Sequence, residues 1–106
     1  MDIYVILTTT SSKKEAKTIA KALLKRNLIA CAQWSKIQSL YRFDGKICCD
    51  KEYLLRLKTT KSALEETRAV LLSLHSYEVP QYLAIAVDEI SQEYLDFVYQ
   101  GTASHA

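Results

Sequence analysis

The sequence predicts an α+β domain, a ferredoxin-like βαββαβ sandwich with a long central hairpin and an extra C-terminal helix. Three observations predict it. Two Ser-x-x-Glu capping signals, Ser12 to Glu15 and Ser62 to Glu65, each open a stretch with apolar residues at helical spacing. An Asp-Gly pair, Asp44-Gly45, separates two long runs of strand character, the strongest short-range sign of a hairpin. Short β-branched and aromatic runs stand near both ends, "IYVILT" from Ile3 and "YLAIAVD" from Tyr82.

The elements follow in order. Ile3–Thr8 reads as a strand buried on both faces. Behind the first capping box, Ala16, Ile19, Ala20, Leu23 and Leu24 form one apolar stripe, and Asn27 suits the left-handed residue that ends a helix. Leu28 to about Arg42 is a long strand, and its return, about Lys46 to Thr60, alternates Tyr53, Leu55 and Leu57 with Glu52, Arg56 and Lys58. The second capping box opens a helix with Leu64, Val70, Leu71 and Leu74 inward, ending near His75. Tyr82–Asp88 is a further buried strand, and Ser91 caps a helix carrying Tyr94, Leu95 and Val98. Residues 1–100 make one domain, and residues 101–106 a frayed, flexible tail.

The hairpin is too long for a compact monomer. Strands of about 14 residues extend about 45 Å, against a diameter near 33 Å for a domain of this size. The ribbon must bend or protrude, and the apolar Leu54, Leu55 and Leu57 near its base call for a partner. An oligomer whose strand edges pair between subunits is the expected outcome.

Composition narrows the function. The net charge of +2 points to neither nucleic acid nor membrane, and the lysines from Lys13 to Lys25 with Arg26 read as a solvated helix face. No apolar run approaches the roughly 18–20 residues that span a bilayer. An acid at position 2 and three cysteines without paired spacing argue for the cytoplasm. No G-x-S-x-G elbow, P-loop or His-Glu-x-x-His motif is present, so the chain is not read as an enzyme. Acylphosphatases share the topology but need an arginine and glycines where this chain has Thr8 to Ser12, and "KEYLLRLK" lacks the glycine and aromatics of an RNA-binding RRM.

"HSYEVP", His75 to Pro80, is the stretch richest in chemistry. His75 and Glu78 are candidate ligands for copper or zinc, but two donors supply half a site at most. The alternative is a helix terminus whose imidazole meets the last free carbonyls, with Tyr77, Glu78 and Pro80 shaping the turn; a small-ligand pocket is a third reading. Cys31 reads as a small buried hydrophobe, and the adjacent Cys48 and Cys49 point to opposite strand faces and cannot chelate one ion together. Tyr41, Lys46, Lys58 and Tyr77 form a second candidate set, phenols and ammonium groups suited to a small anionic ligand near a subunit boundary.

"LIACAQ", "SLYRFDGKI", "YLLRLKTT", "HSYEVPQYLAI" and "YLDFV", in that order and spacing, resemble the CutA family of divalent-cation-tolerance proteins, over essentially the whole chain from Val5 to Val98. The resemblance implies a ferredoxin-like subunit, a tight homotrimer built through the long hairpins, a cytoplasmic location, and a link to tolerance of copper and other divalent metals. It implies no cofactor needed for folding, though Cu(II) or another divalent cation is the expected ligand. The family's likeness in trimer shape to PII-type signal proteins gives the alternative, a sensor holding a small ligand in clefts between subunits. The chain departs from the pattern in lacking a Pro-Gly pair along Gln33 to Ile37, in Arg42-Phe43 beside Tyr41, and in Ser76 where relatives often have proline. Thr8 stands where some relatives carry a cysteine invoked in copper binding, so no copper site is expected on that thiol.

Overall fold

The computed structural model describes residues 2–102 and gives the expected order: β1 (Ile3–Thr10), α1 (Lys13–Lys25), β2 (Cys31–Phe43), β3 (Lys46–Thr60), α2 (Lys61–Leu74), β4 (Leu83–Ala86) and α3 (Gln92–Gly101). The strands form one antiparallel sheet in the order β2-β3-β1-β4, leaving β2 and β4 at its edges. Helices α1 and α2 cover one face. Ile6, Leu55 and Leu57 of the sheet meet Ala16, Ile19, Ala20, Leu23, Ala63, Val70 and Leu71 there, with Trp34 and Tyr53 packed at the margin.

The turns obey their backbone chemistry. Asn27 has φ 56°, the left-handed residue after α1, and Asp44 (φ 51°) and Gly45 (φ 75°) supply the two positive φ values of a tight hairpin turn. β1 ends opposite Tyr53, whereas β2 and β3 stay paired out to Phe43 and Lys46. The hairpin therefore overhangs the end of β1 by roughly 23 Å, and the long axis of the subunit is 44 Å.

Four local expectations are corrected. The first capping box is half formed: Ser12 Oγ accepts from Glu15 N–H, but the Glu15 carboxylate turns away to Ser76. The second does not form. β3 runs straight into α2, so Thr60 is the cap residue, without a side-chain cap bond, and Ser62 falls inside the first turn, its hydroxyl 3.2 Å from that of Thr60. This shifts the helix phase: Ala63 and Thr67 are buried with Val70 and Leu71, while Leu74 is exposed. β4 is shorter than expected and exposed along its length, because it is an edge strand beyond the two covering helices.

The fourth correction is at the C-terminal boundary. Gly101 is the last residue of α3 and Thr102 is fully buried, its hydroxyl donating to the Val98 carbonyl at 2.9 Å. Both were assigned to the tail by sequence; residues 103–106 lie outside the described residues. A Cβ on Gly101 would stand 2.7 Å from Cα and Cβ of Ala30, so this position seats α3 against the start of β2.

Candidate functional site

The site grows from the end of α2. His75 leaves the helix in an extended conformation and its side chain is wholly buried. Its Nε2 lies 2.8 Å from the Thr9 carbonyl at the end of β1, and its Nδ1 is 3.2 Å from the Tyr77 amide. The Thr9 oxygen can only accept and the amide can only donate, so the ring is the neutral tautomer with its proton on Nε2. His75 does meet a carbonyl, but that of a neighbouring strand and not those of its own helix.

Glu15 completes the clamp. Its two carboxylate oxygens accept from the Ser76 amide and hydroxyl, each at 2.8 Å, and one lies 3.5 Å from His75 Nδ1. The Tyr77 phenol then reaches the hairpin and donates to Glu52 at 2.7 Å. Three residues thus tie α2 to α1, β1 and β3.

β3 carries the polar set outward. Side chains alternate along a strand, so Lys46, Cys48, Asp50, Glu52, Leu54, Arg56 and Lys58 share the face opposite the helices, together with Tyr41 on β2. The Tyr41 phenol donates to Asp50. That bond to a carboxylate, with help from desolvation, pushes Tyr41 up to about 12. Burial, then the Glu52 hydrogen bond, raises Tyr77 well above the ordinary tyrosine value. Farther along this face Arg56 donates to Ser35 Oγ at 3.3 Å and Lys58 to Gln33 Oε1. α3 covers the end of the face near Cys31, where burial and the Cys31 thiol raise Tyr94.

This placement divides the sequence candidates. Tyr41 and Lys46 sit together near the hairpin tip, Tyr77 reaches the same face at Glu52, but Lys58 is twelve residues along β3 from Lys46, roughly 40 Å away. One subunit does not gather all four. Nor do His75 and Glu78 make a chelate: both ring nitrogens are engaged, and Glu78 is exposed with no bond to the ring. Among the described residues no three His, Cys, Asp or Glu side chains converge as a metal group. The described donors of one subunit do not fit a resident divalent ion. Cys31, Cys48 and Cys49 are free thiols.

Glu15, Thr9, Glu52 and Asp50 are the participants that sequence reasoning missed. Glu15 was absorbed by its capping role, and Glu52 by strand alternation, which assigns it to solvent although only 8% of it is exposed.

The family model described as "CutA1 divalent ion tolerance protein" matches residues 4–101. The chain belongs to the CutA1 family. It is 38% identical over 99 residues to the "Divalent-cation tolerance protein CutA" of Thermus thermophilus, covering 92% of this chain and 96% of that protein. It is 36% identical over 100 residues to the protein of the same name from Pyrococcus horikoshii, covering 94% and 98%. The solved structure titled as the periplasmic divalent cation tolerance protein CutA of Archaeoglobus fulgidus superposes with a TM-score of 0.91 at 32% identity, covering 94% of this chain and 98% of that one. The sequence resemblance and the α+β fold with its antiparallel sheet are both confirmed.

Proposed function

We propose that this CutA1 protein acts as a cytoplasmic, non-enzymatic homotrimer that contributes to tolerance of copper and other divalent cations, and that any ion it binds is held between subunits. The overhanging hairpin carries the reading. Leu40 is 73% exposed and Ile47 68% exposed on a ribbon that projects past its own subunit, and Leu83 and Ile85 are exposed on an edge strand. Such a surface calls for a second copy. With both His75 ring nitrogens engaged, the exposed Glu78 supplies one donor of a ligand set, and a neighbour supplies the rest.

The test joins sedimentation equilibrium to calorimetric titration with Cu(II) and Zn(II), for wild type, His75→Ala and Glu78→Ala. A trimer that binds near one ion per subunit, with binding lost in Glu78→Ala at unchanged melting temperature, supports the reading. A trimer with weak, unsaturable binding, the same in all three proteins, overturns direct binding. A folded monomer at micromolar concentration overturns the assembly as well.

A second reading rests on one observation: Tyr41, Lys46 and Lys58 lie on one sheet face, with Tyr77 reaching onto it, but at opposite ends of β3. Packing copies end to end would bring Lys58 of one beside Tyr41 and Tyr77 of the next, a cleft for a small anionic ligand. Binding of such a ligand, lost in Lys58→Ala and indifferent to Glu78→Ala, would favour the sensor.

A further inference from the structure

Glu52 is the charge that the subunit leaves unanswered. It is 8% exposed, and its hydrogen bond comes from the neutral Tyr77 phenol. Asp50, two residues nearer the tip on the same face, likewise meets only the Tyr41 phenol. No cation among the described residues stands within ion-pair distance of either carboxylate. A buried carboxylate without a cation is costly, and proteins seldom leave one so.

The matching cations are on the same face of the same strand. Among the described residues, Arg56 and Lys58 meet neutral groups, the Ser35 hydroxyl and the Gln33 amide oxygen. Along this face of β3 the order is Lys46, Asp50, Glu52, Arg56, Lys58, so each acid stands four residues, roughly 13 Å of strand, from the nearest base. An extended strand holds that spacing fixed, and Asp50 and Glu52 lie on the part of the hairpin that overhangs β1. Around Arg56 and Lys58 the face is apolar: Leu54, Leu7 and Val5 are half-buried and Leu83 and Ile85 exposed. This face therefore carries an apolar surface and unpaired charges of both signs, which a second copy offset along β3 brings together.

We propose that the acid–phenol end of each hairpin, Asp50 and Glu52 with Tyr41 and Tyr77, docks on Arg56 and Lys58 of a second copy of this chain, so that each such site is completed by cations from the neighbour. The inference rests on the trimer reading and specifies its register: assembly is head to tail along β3, and the ion pairs are its polar centre. A guanidinium offers the planar fork that a carboxylate accepts best, which makes Arg56 the partner of Glu52.

Charge reversal tests this. Glu52→Arg and Arg56→Glu are prepared singly and together, and each is examined by sedimentation equilibrium and circular dichroism beside wild type. The singles are expected to weaken assembly at least tenfold, and the double swap to restore it. Should a reversed single fail to fold, the neutral Glu52→Gln, Arg56→Gln and their double variant give the same coupling as a thermodynamic cycle. If wild type and every variant assemble alike, the pairing is overturned and the trimer stands. If the singles weaken assembly and the double adds their losses, the pairing is again overturned. A monomeric wild type would instead remove the trimer reading on which the inference rests.

Discussion

His75 Nε2 lies 2.8 Å from the Thr9 carbonyl oxygen, which fastens the end of α2 to the end of β1. Alanine at 75 would leave that carbonyl and the Tyr77 amide without partners and open a cavity beneath the loop. The expected loss is about 2–4 kcal/mol. Urea denaturation measures it, and His75→Gln, which keeps a donor, should lose less. A variant as stable as wild type would show that the clamp contributes nothing.

Thr8 is fully buried in β1 and its hydroxyl has no partner among the described residues. An unpaired buried hydroxyl costs roughly 1–3 kcal/mol, and valine has the same shape without it. Thr8→Val should therefore raise stability by about 1 kcal/mol. By contrast the Thr59 and Thr67 hydroxyls both reach the Leu28 carbonyl, at 2.6 and 3.4 Å. Thr59→Val should lose about 1 kcal/mol, and opposite signs for the two threonine variants in thermal melts are the diagnostic result.

Much of the fold was legible because it is written in local chemistry. Asp44-Gly45 fixed the hairpin, Asn27 the end of α1, and Ser91 the start of α3, each through its own backbone requirement. What failed was decided at a distance. Glu15 satisfies the capping pattern in sequence, yet Ser76 offers it two donors that no local pattern reveals. β4 is as apolar as a buried strand, but burial depends on how many layers cover it, and its place at the sheet edge is set by topology. The candidate site followed the same rule: Tyr41, Lys46, Lys58 and Tyr77 were found as residue types, while their separation along β3 needed the register.

Alkaline pH should loosen the subunit through two phenols. Tyr41 is held up to about 12 by its bond to Asp50, and Tyr77 is raised by burial and Glu52. In the unfolded chain both ionise near the ordinary tyrosine value of 10.0. Above that value the unfolded state has released protons that the folded state still holds, so stability falls as pH rises; below it their contribution is complete. Denaturant midpoints measured from pH 8 to 12 should decline beyond about pH 10. In Asp50→Asn, tyrosinate absorbance should show one phenol returning toward its ordinary range. An unchanged titration would mean that the Tyr41–Asp50 bond does not persist in solution.

The C-terminal boundary of the fold lies beyond residue 100. Gly101 lies against Ala30, where a Cβ would come within 2.7 Å of a backbone atom and a side-chain methyl carbon. Gly101 is the final residue of α3, so alanine there would normally stabilise a helix. Here the contact cannot yield without moving α3 off the start of β2, and overpacking of this kind costs about 1–3 kcal/mol. The sign therefore decides which term governs: Gly101→Ala should lower the melting temperature, whereas Gln100→Ala, at an exposed position in the same turn, should leave it nearly unchanged. Removal of residues 101–106 should destabilise more than removal of 103–106, because only the longer deletion discards the buried Thr102 and its bond to the Val98 carbonyl. Equal melting temperatures for the two truncations would return Gly101 and Thr102 to the tail.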